Sequence, residues 1–189
     1  MVIVFIGPPG CGKGTQANIL KDSILPDLNI LTVSSLLKEK SQDESILGKE
    51  IKDKMDNGDL IEDTVVISVL KEKVNSLSNE QILIDGFPRS SIQADSLLEI
   101  FENKDLSIIN FDVDDEQLLQ RIKKRSMEES RADDSFFEKK IQIYKKSHLE
   151  ILNSLKKNYS VTDIQANDEI SSVTAKIVDK LELNWGILY

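Results

Sequence analysis

Residues 1–15 read MVIVFIGPPGCGKGT. Val2–Ile6 is a continuous apolar run rich in β-branched side chains, the character of a strand covered on both faces. It passes directly into Gly7-Pro8-Pro9-Gly10-Cys11-Gly12-Lys13, and 14–21 reads as a helix. Strand, glycine-rich turn and helix in immediate succession are the setting of a phosphate-binding loop. The glycines let the backbone curl so that successive N–H groups point at phosphate oxygens, and the helix N-terminus adds partial positive charge. Lys13 supplies a point cation for the β- and γ-phosphates. Gly10, Cys11, Gly12, Lys13, Gly14 and Thr15 are therefore the expected ATP contacts. A Ser or Thr usually follows the loop Lys; here Gly14 does, and Thr15 comes one later. The hydroxyl–magnesium role is thus not assigned to Thr15. Cys11 reads as a small spacer rather than a nucleophile or redox group.

Working outward, further strands are expected at 81–84, 107–113 and 159–164, with a short one at 29–33. Helical patterns fall at 46–55, 64–77, 91–102, 116–129, 136–156 and 170–181. Asn57-Gly58 is a helix stop, since Gly reaches the left-handed cap conformation without a Cβ penalty. Strands alternating with helices predict an α/β fold: a three-layer sandwich whose mainly parallel five-stranded sheet carries helices on both faces. Residues 1–189 read as one domain. Residues 126–135, short and charged, read as an exposed loop between helices. The tail NWGILY, 184–189, is apolar and is expected to pack back on the body.

The apolar share of 40% and charged share of 30% are those of a globular protein. No apolar run is long enough to span a membrane, and the first residues read as a buried strand rather than a signal peptide. A single cysteine cannot form an internal disulfide, which agrees with a reducing compartment. The net charge is −9, so binding a polyanion requires cations at chosen points. No basic stripe is present, which argues against nucleic acid as a partner.

Asp85-Gly86-Phe87-Pro88-Arg89 follows the second apolar strand. Asp85 closes that strand at the carboxyl edge where open α/β sheets bind ligands. A carboxylate there can hold Mg2+ through its water shell, and Arg89 offers a planar fork to a second phosphate. Together with Gly-Pro-Pro-Gly-Cys-Gly-Lys-Gly-Thr-Gln, this segment resembles the adenylate kinase family of nucleoside-monophosphate kinases, from Met1 to about Leu181.

The resemblance implies the remaining site. Gln93 matches the family's adenine-reading Gln, and an amide can pair bidentately with an adenine edge. Ser34, Gly58, Leu60, Ile61 and Gly86 match the lining of the monophosphate pocket. Lys38 stands where the family usually has Arg, keeping the charge but losing the bidentate fork. Arg121 and Arg125, four apart on one helix face, match the residues that stack on the ATP base and reach its phosphates. Arg131, in Arg131-Ala132-Asp133-Asp134, matches the arginine on the transferring phosphoryl group, and Lys140 takes the place of a further family arginine. The interval between Arg125 and Arg131 corresponds to the short-lid form without zinc. His148, the one histidine, reads as a solvated side chain.

The expected activity is reversible phosphoryl transfer from ATP–Mg2+ to AMP, giving two ADP, with a flap at 33–66 and a lid at 126–135 closing over the ligands. A monomeric, cytoplasmic enzyme is implied by the resemblance. Two other readings stand beside it: a kinase taking CMP or UMP, and a nucleotide-binding module with weakened transfer, suggested by Lys38 and Lys140.

Overall fold

The computed structural model describes residues 1–57, 59–77, 81–101, 106–128 and 137–183. Gly58, Arg131 and the tail 184–189 lie outside the described residues, and so do the side chains of Arg125 and Lys140.

The first strand, β1 (Val2–Ile6), lies at the centre of a five-stranded sheet. The other strands of the sheet are β2 (Asn29–Thr32), β3 (Ile82–Asp85), β4 (Leu106–Asp112) and β5 (Val161–Gln165), in the order β2-β3-β1-β4-β5. Every pairing is parallel, so each connection must cross over. The crossovers run through α1 (Lys13–Ser23), α2 (Val33–Lys40), α3 (Ile46–Asn57), α4 (Asp63–Ser76), α5 (Ser91–Phe101), α6 (Asp115–Glu128) and α7 (Phe137–Asn158), and α8 (Ile170–Lys180) follows the last strand.

The period-two alternation of a strand sorts β1 between two apolar layers. Val2, Val4 and Ile6 pack with Leu36 of α2, Leu70 of α4, Leu97 of α5 and Leu155 of α7. Ile3 and Phe5 pack with Leu20 of α1, Leu118 of α6 and Ile177 of α8. All five β1 residues are buried, which is why the strand carries no polar face. The result is the expected three-layer sandwich, with a sheet that is wholly parallel.

The chain leaves β1 toward β2 on one side and later enters β4 on the other. That reversal opens a crevice at the carboxyl ends of the strands. The register places Phe5 beside Asp85 and Ile6 beside Asn110, so the turns after β1 and β3 share one edge. Among the described residues, no helix is long and apolar enough to cross a membrane.

Two local outcomes differ from the sequence expectation. Val33–Lys40 forms a helix directly after β2. Its buried positions Val33, Leu36 and Leu37 have helical spacing, but eight residues are too few for the period to stand out from the preceding strand. The last strand starts two residues later than expected, because the Tyr159 N–H donates to the Leu155 carbonyl (2.9 Å) and continues the hydrogen bonding of α7. The stop after α3 falls at Asn57, where the Asp59 N–H donates to the Lys54 carbonyl (2.8 Å).

Adjacent leucines on α5 test the layering. Leu97 is fully buried and Leu98 is half exposed. Leu97→Ala is expected to lower stability by about 2–5 kcal/mol. Leu98→Ala should change it by roughly 0.5 kcal/mol or less. Both are read from urea midpoints at constant m-value.

Candidate active site

Backbone geometry comes first in the phosphate loop. Gly7 has φ 150° and Gly12, the residue capping α1, has φ 105°. A Cβ on Gly7 would lie 2.9 Å from both Cys11 Sγ and Phe111 Cβ, so the loop can leave β1 this way only without a side chain there. The Lys13 ammonium donates to the carbonyls of Gly7 (2.9 Å) and Pro8 (3.0 Å) and to Cys11 Sγ (3.4 Å). All three of its protons are thus directed into the loop. Cys11 is buried among the apolar residues of the α1 side, which fits a spacer. Gly14 and Thr15 lie exposed on the first turn of α1.

Gln16, which sequence reasoning passed over, anchors that helix. Its side chain is buried; Nε2 donates to the Ile170 carbonyl (3.0 Å) and Oε1 accepts from Thr174 Oγ1 (2.8 Å). The first turn of α1 is thereby tied to α8. A glutamine directly after a phosphate loop, on a helix with an apolar face, was the available signal.

Asp85 ends β3 next to the loop. A Cβ on Gly14 would stand 3.8 Å from its Oδ2, so the carboxylate faces the first turn of α1. A hard oxygen donor beside a phosphate loop fits a magnesium ion. Gly86 then turns the chain at φ 83°, Phe87 is buried in the core, and Arg89 folds back so that Nε donates to the Gly86 carbonyl (2.8 Å).

Gln93 is 5% exposed. Its Oε1 accepts from the Arg89 backbone N–H (2.8 Å) and its Nε2 donates to Asp63 Oδ1 (2.6 Å). Ser90 caps α5, accepting from the Gln93 N–H (3.1 Å) and donating to Asp63 Oδ2 (2.7 Å). Ser-x-x-Gln is a capping-box spacing, a signal that the sequence reading left unused. The Ser90 half of the box forms, while the Gln93 amide reaches one residue further back, to the Arg89 N–H rather than the Ser90 N–H.

On the far side of the loop, Arg121 of α6 donates to the Cys11 carbonyl (3.3 Å) and to the Ala166 carbonyl (2.6 Å). It therefore bridges the loop and the turn after β5. His148 is not the solvated side chain expected from sequence. It is partly buried and hydrogen-bonded to the Tyr144 hydroxyl (Nδ1···O 2.6 Å). The two rings stand one helical turn apart on α7, with centroids 4.7 Å apart. Burial pushes the Tyr144 phenol far above its ordinary value, reinforced by the nearby Cys11 and Asp112. Burial also lowers the pKa of His148, against the opposing pull of Asp163 and Asp112.

The residues that the sequence resemblance assigns to the monophosphate pocket are more open. Ser34 and Lys38 are exposed on α2, Ile61 is partly buried, and Leu60 is 91% exposed. Helix α3 closes tightly on the end of α2 and the connection after it at Gly48, where a Cβ would stand 2.8 Å from the Lys40 carbonyl oxygen and 2.4 Å from that of Asp43. The structure thus gathers Lys13, Asp85, Arg89 and Arg121 at one sheet edge. Ser34, Lys38, Leu60 and Ile61 lie on the adjoining α2–α4 segment.

Gly7→Ala should strain the loop, lowering kcat/KM for ATP on the order of 10²-fold while steady-state assays are run on protein of unchanged secondary structure by circular dichroism. His148 gives a pH signature. Its folded pKa lies below the ordinary 6.5, so its contribution is fully present above that value and is lost as pH falls below it. Urea titrations of the parent and His148→Gln, at about pH 7.5 and about pH 5, should show the stability difference shifting in favour of the variant at the lower pH.

A model of the adenylate kinase family matches residues 5–176. The adenylate kinase of Leptospira biflexa is 30% identical over 185 residues, covering 95% of this chain and 98% of that protein. That of Flavobacterium psychrophilum is 33% identical over 189 residues, covering 95% and 98% respectively. The adenylate kinase of Borrelia duttonii is 40% identical over 128 residues, 66% of this chain and 57% of its own length. The family match takes in both strand-end turns and the helices that follow them, and the Leptospira and Flavobacterium alignments run across almost the whole chain. On these grounds the chain belongs to the adenylate kinase family.

Proposed function

We propose that the chain transfers the γ-phosphoryl group of ATP to AMP, reversibly, giving two ADP. The observation that carries this reading is the convergence, on neighbouring strands β1 and β3, of the Lys13 loop with Asp85 and Arg89. One edge thereby offers a phosphate cradle, a hard-metal oxygen ligand and a second phosphate-binding cation. The pyrimidine-monophosphate and weakened-module alternatives are not favoured by the family match.

The ATP phosphates lie over Gly10–Thr15, and Lys13 exchanges the Gly7 and Pro8 carbonyls for phosphate oxygens. Arg121 and Arg125 hold the donor, with Arg131 and Lys140 around the phosphoryl group in flight. AMP lies against Ser34, Gly58, Leu60, Ile61 and Gly86, its phosphate held by Lys38 and Arg89 and its base by Gln93. A phosphate oxygen of AMP attacks the γ-phosphorus in line as the bond to the β-phosphate oxygen breaks. That oxygen is already anionic, so no general base is needed. Catalysis rests on alignment and charge neutralisation. Magnesium, when bound near Asp85, supplies further neutralisation of the phosphates.

Water must be kept from the γ-phosphate, and closure of the flap 33–66 and lid 126–135 does this. The exposure of Leu60 supports such a movement, since an aliphatic side chain there gains burial only when a ligand or the closed flap covers it.

Lys13→Met is expected to reduce kcat by about 10²–10³; normal turnover by that protein would refute the reading. In an acceptor panel with magnesium, AMP should support ADP formation well above CMP or UMP. Lys38→Arg should lower the KM for AMP, because a fork replaces a point charge.

A further inference from the structure

The Gln93 amide is held at both ends by groups that permit only one orientation. A primary amide has two N–H donors and two acceptor lone pairs. The Arg89 backbone N–H can only donate, so it must face Oε1. The Asp63 carboxylate oxygen accepts, so it faces Nε2, at 2.6 Å. Turning the amide over would set N–H against N–H at Arg89 and oxygen against oxygen at Asp63. The carboxylate is itself fixed, because its second oxygen accepts from Ser90 Oγ at 2.7 Å. It also sits in the first turn of α4, where the helix dipole favours negative charge. Asp63 belongs to α4 and Gln93 to α5, so the contact joins two elements rather than closing a local turn.

We infer that Asp63 is a positioning residue that, together with the Arg89 backbone N–H, sets the preference of the acceptor site for a 6-amino over a 6-oxo purine monophosphate. With one N–H and one lone pair engaged, Gln93 retains one donor and one acceptor for a ligand. Adenine presents an amino donor beside a ring-nitrogen acceptor, which this fixed amide satisfies. Hypoxanthine presents a carbonyl beside a ring N–H, the same pair in reverse order, and would require the reversed amide. A site whose buried polar groups are pre-oriented rejects the mismatched edge, because pairing with it leaves those groups unsatisfied. The inference rests on the reading that Gln93 contacts the acceptor base.

The test compares AMP and IMP as acceptors for the full chain and for Asp63→Ala, Asp63→Asn and Gln93→Ala, with the KM for ATP as the control for folding. Asp63→Ala should lower the AMP-over-IMP ratio of kcat/KM by about tenfold, mainly through the KM for AMP, with kcat for AMP within about threefold. Asp63→Asn keeps an oxygen that can accept from Gln93 and should hold the ratio within about threefold of the parent. If Asp63→Ala does not fold, Ser90→Ala frees the carboxylate and should move the ratio in the same direction; an unchanged ratio there would overturn the inference. Should Asp63→Ala keep the parent ratio while Gln93→Ala loses it, the positioning role falls and the Gln93 reading stands. Should Gln93→Ala also leave the ratio and the KM for AMP unchanged, the base-reading assignment falls, and the role of Asp63 with it.

Discussion

The backbone must reverse from a fully buried strand into a helix within six residues, Gly7 to Gly12, without burying unsatisfied polar groups. The structure meets this constraint by wrapping the loop around the Lys13 ammonium, which takes up the Gly7 and Pro8 carbonyls. Everything nearby is arranged about this turn. Gly7 is pressed against Cys11 and Phe111, Gln16 fixes the emerging helix to α8, and Arg121 grips the loop from α6.

A second regularity concerns charge. The protein carries a net charge of −9, yet its proposed ligands are polyanions. Among the described residues, three cations at the site are held by backbone carbonyls: Lys13 by Gly7 and Pro8, Arg89 by Gly86, and Arg121 by Cys11 and Ala166. Several cations elsewhere pair with carboxylates, as Lys40 does with Glu72 and Lys71 with Glu99. A carbonyl dipole orients a cation without cancelling its charge; a carboxylate cancels it. The site cations thus keep their full charge for phosphate inside an acidic molecule, while exposed pairs contribute little to stability.

Gln93 shows how one side chain can serve both the fold and recognition. Its Oε1 satisfies a backbone N–H just before α5, completing a variant of the capping box. Its Nε2 reaches the first turn of α4. The amide that would read a base is therefore held by two helix starts, so base recognition is built on rigid elements.

The amino-acid sequence by itself determined the α/β class, the burial of the β1 run on both faces, both strand-end turns and the helix stop at Asn57. These are local properties: apolar continuity, glycine and proline chemistry, and helical period. The positions of Lys13, Asp85 and Arg89 at one edge were also legible, because parallel strands carry their carboxyl ends to the same side. The short helix Val33–Lys40 was not, since its period is too brief to separate from β2. Nor were the partly buried His148 beside Tyr144, the anchoring of Gln16 by residues 154 and 158 positions away, or the grip of Asp63 on Gln93. Each of these depends on distant segments meeting across a packed core. Residue type limits what a side chain can bond, but only the tertiary structure decides which partner comes within reach.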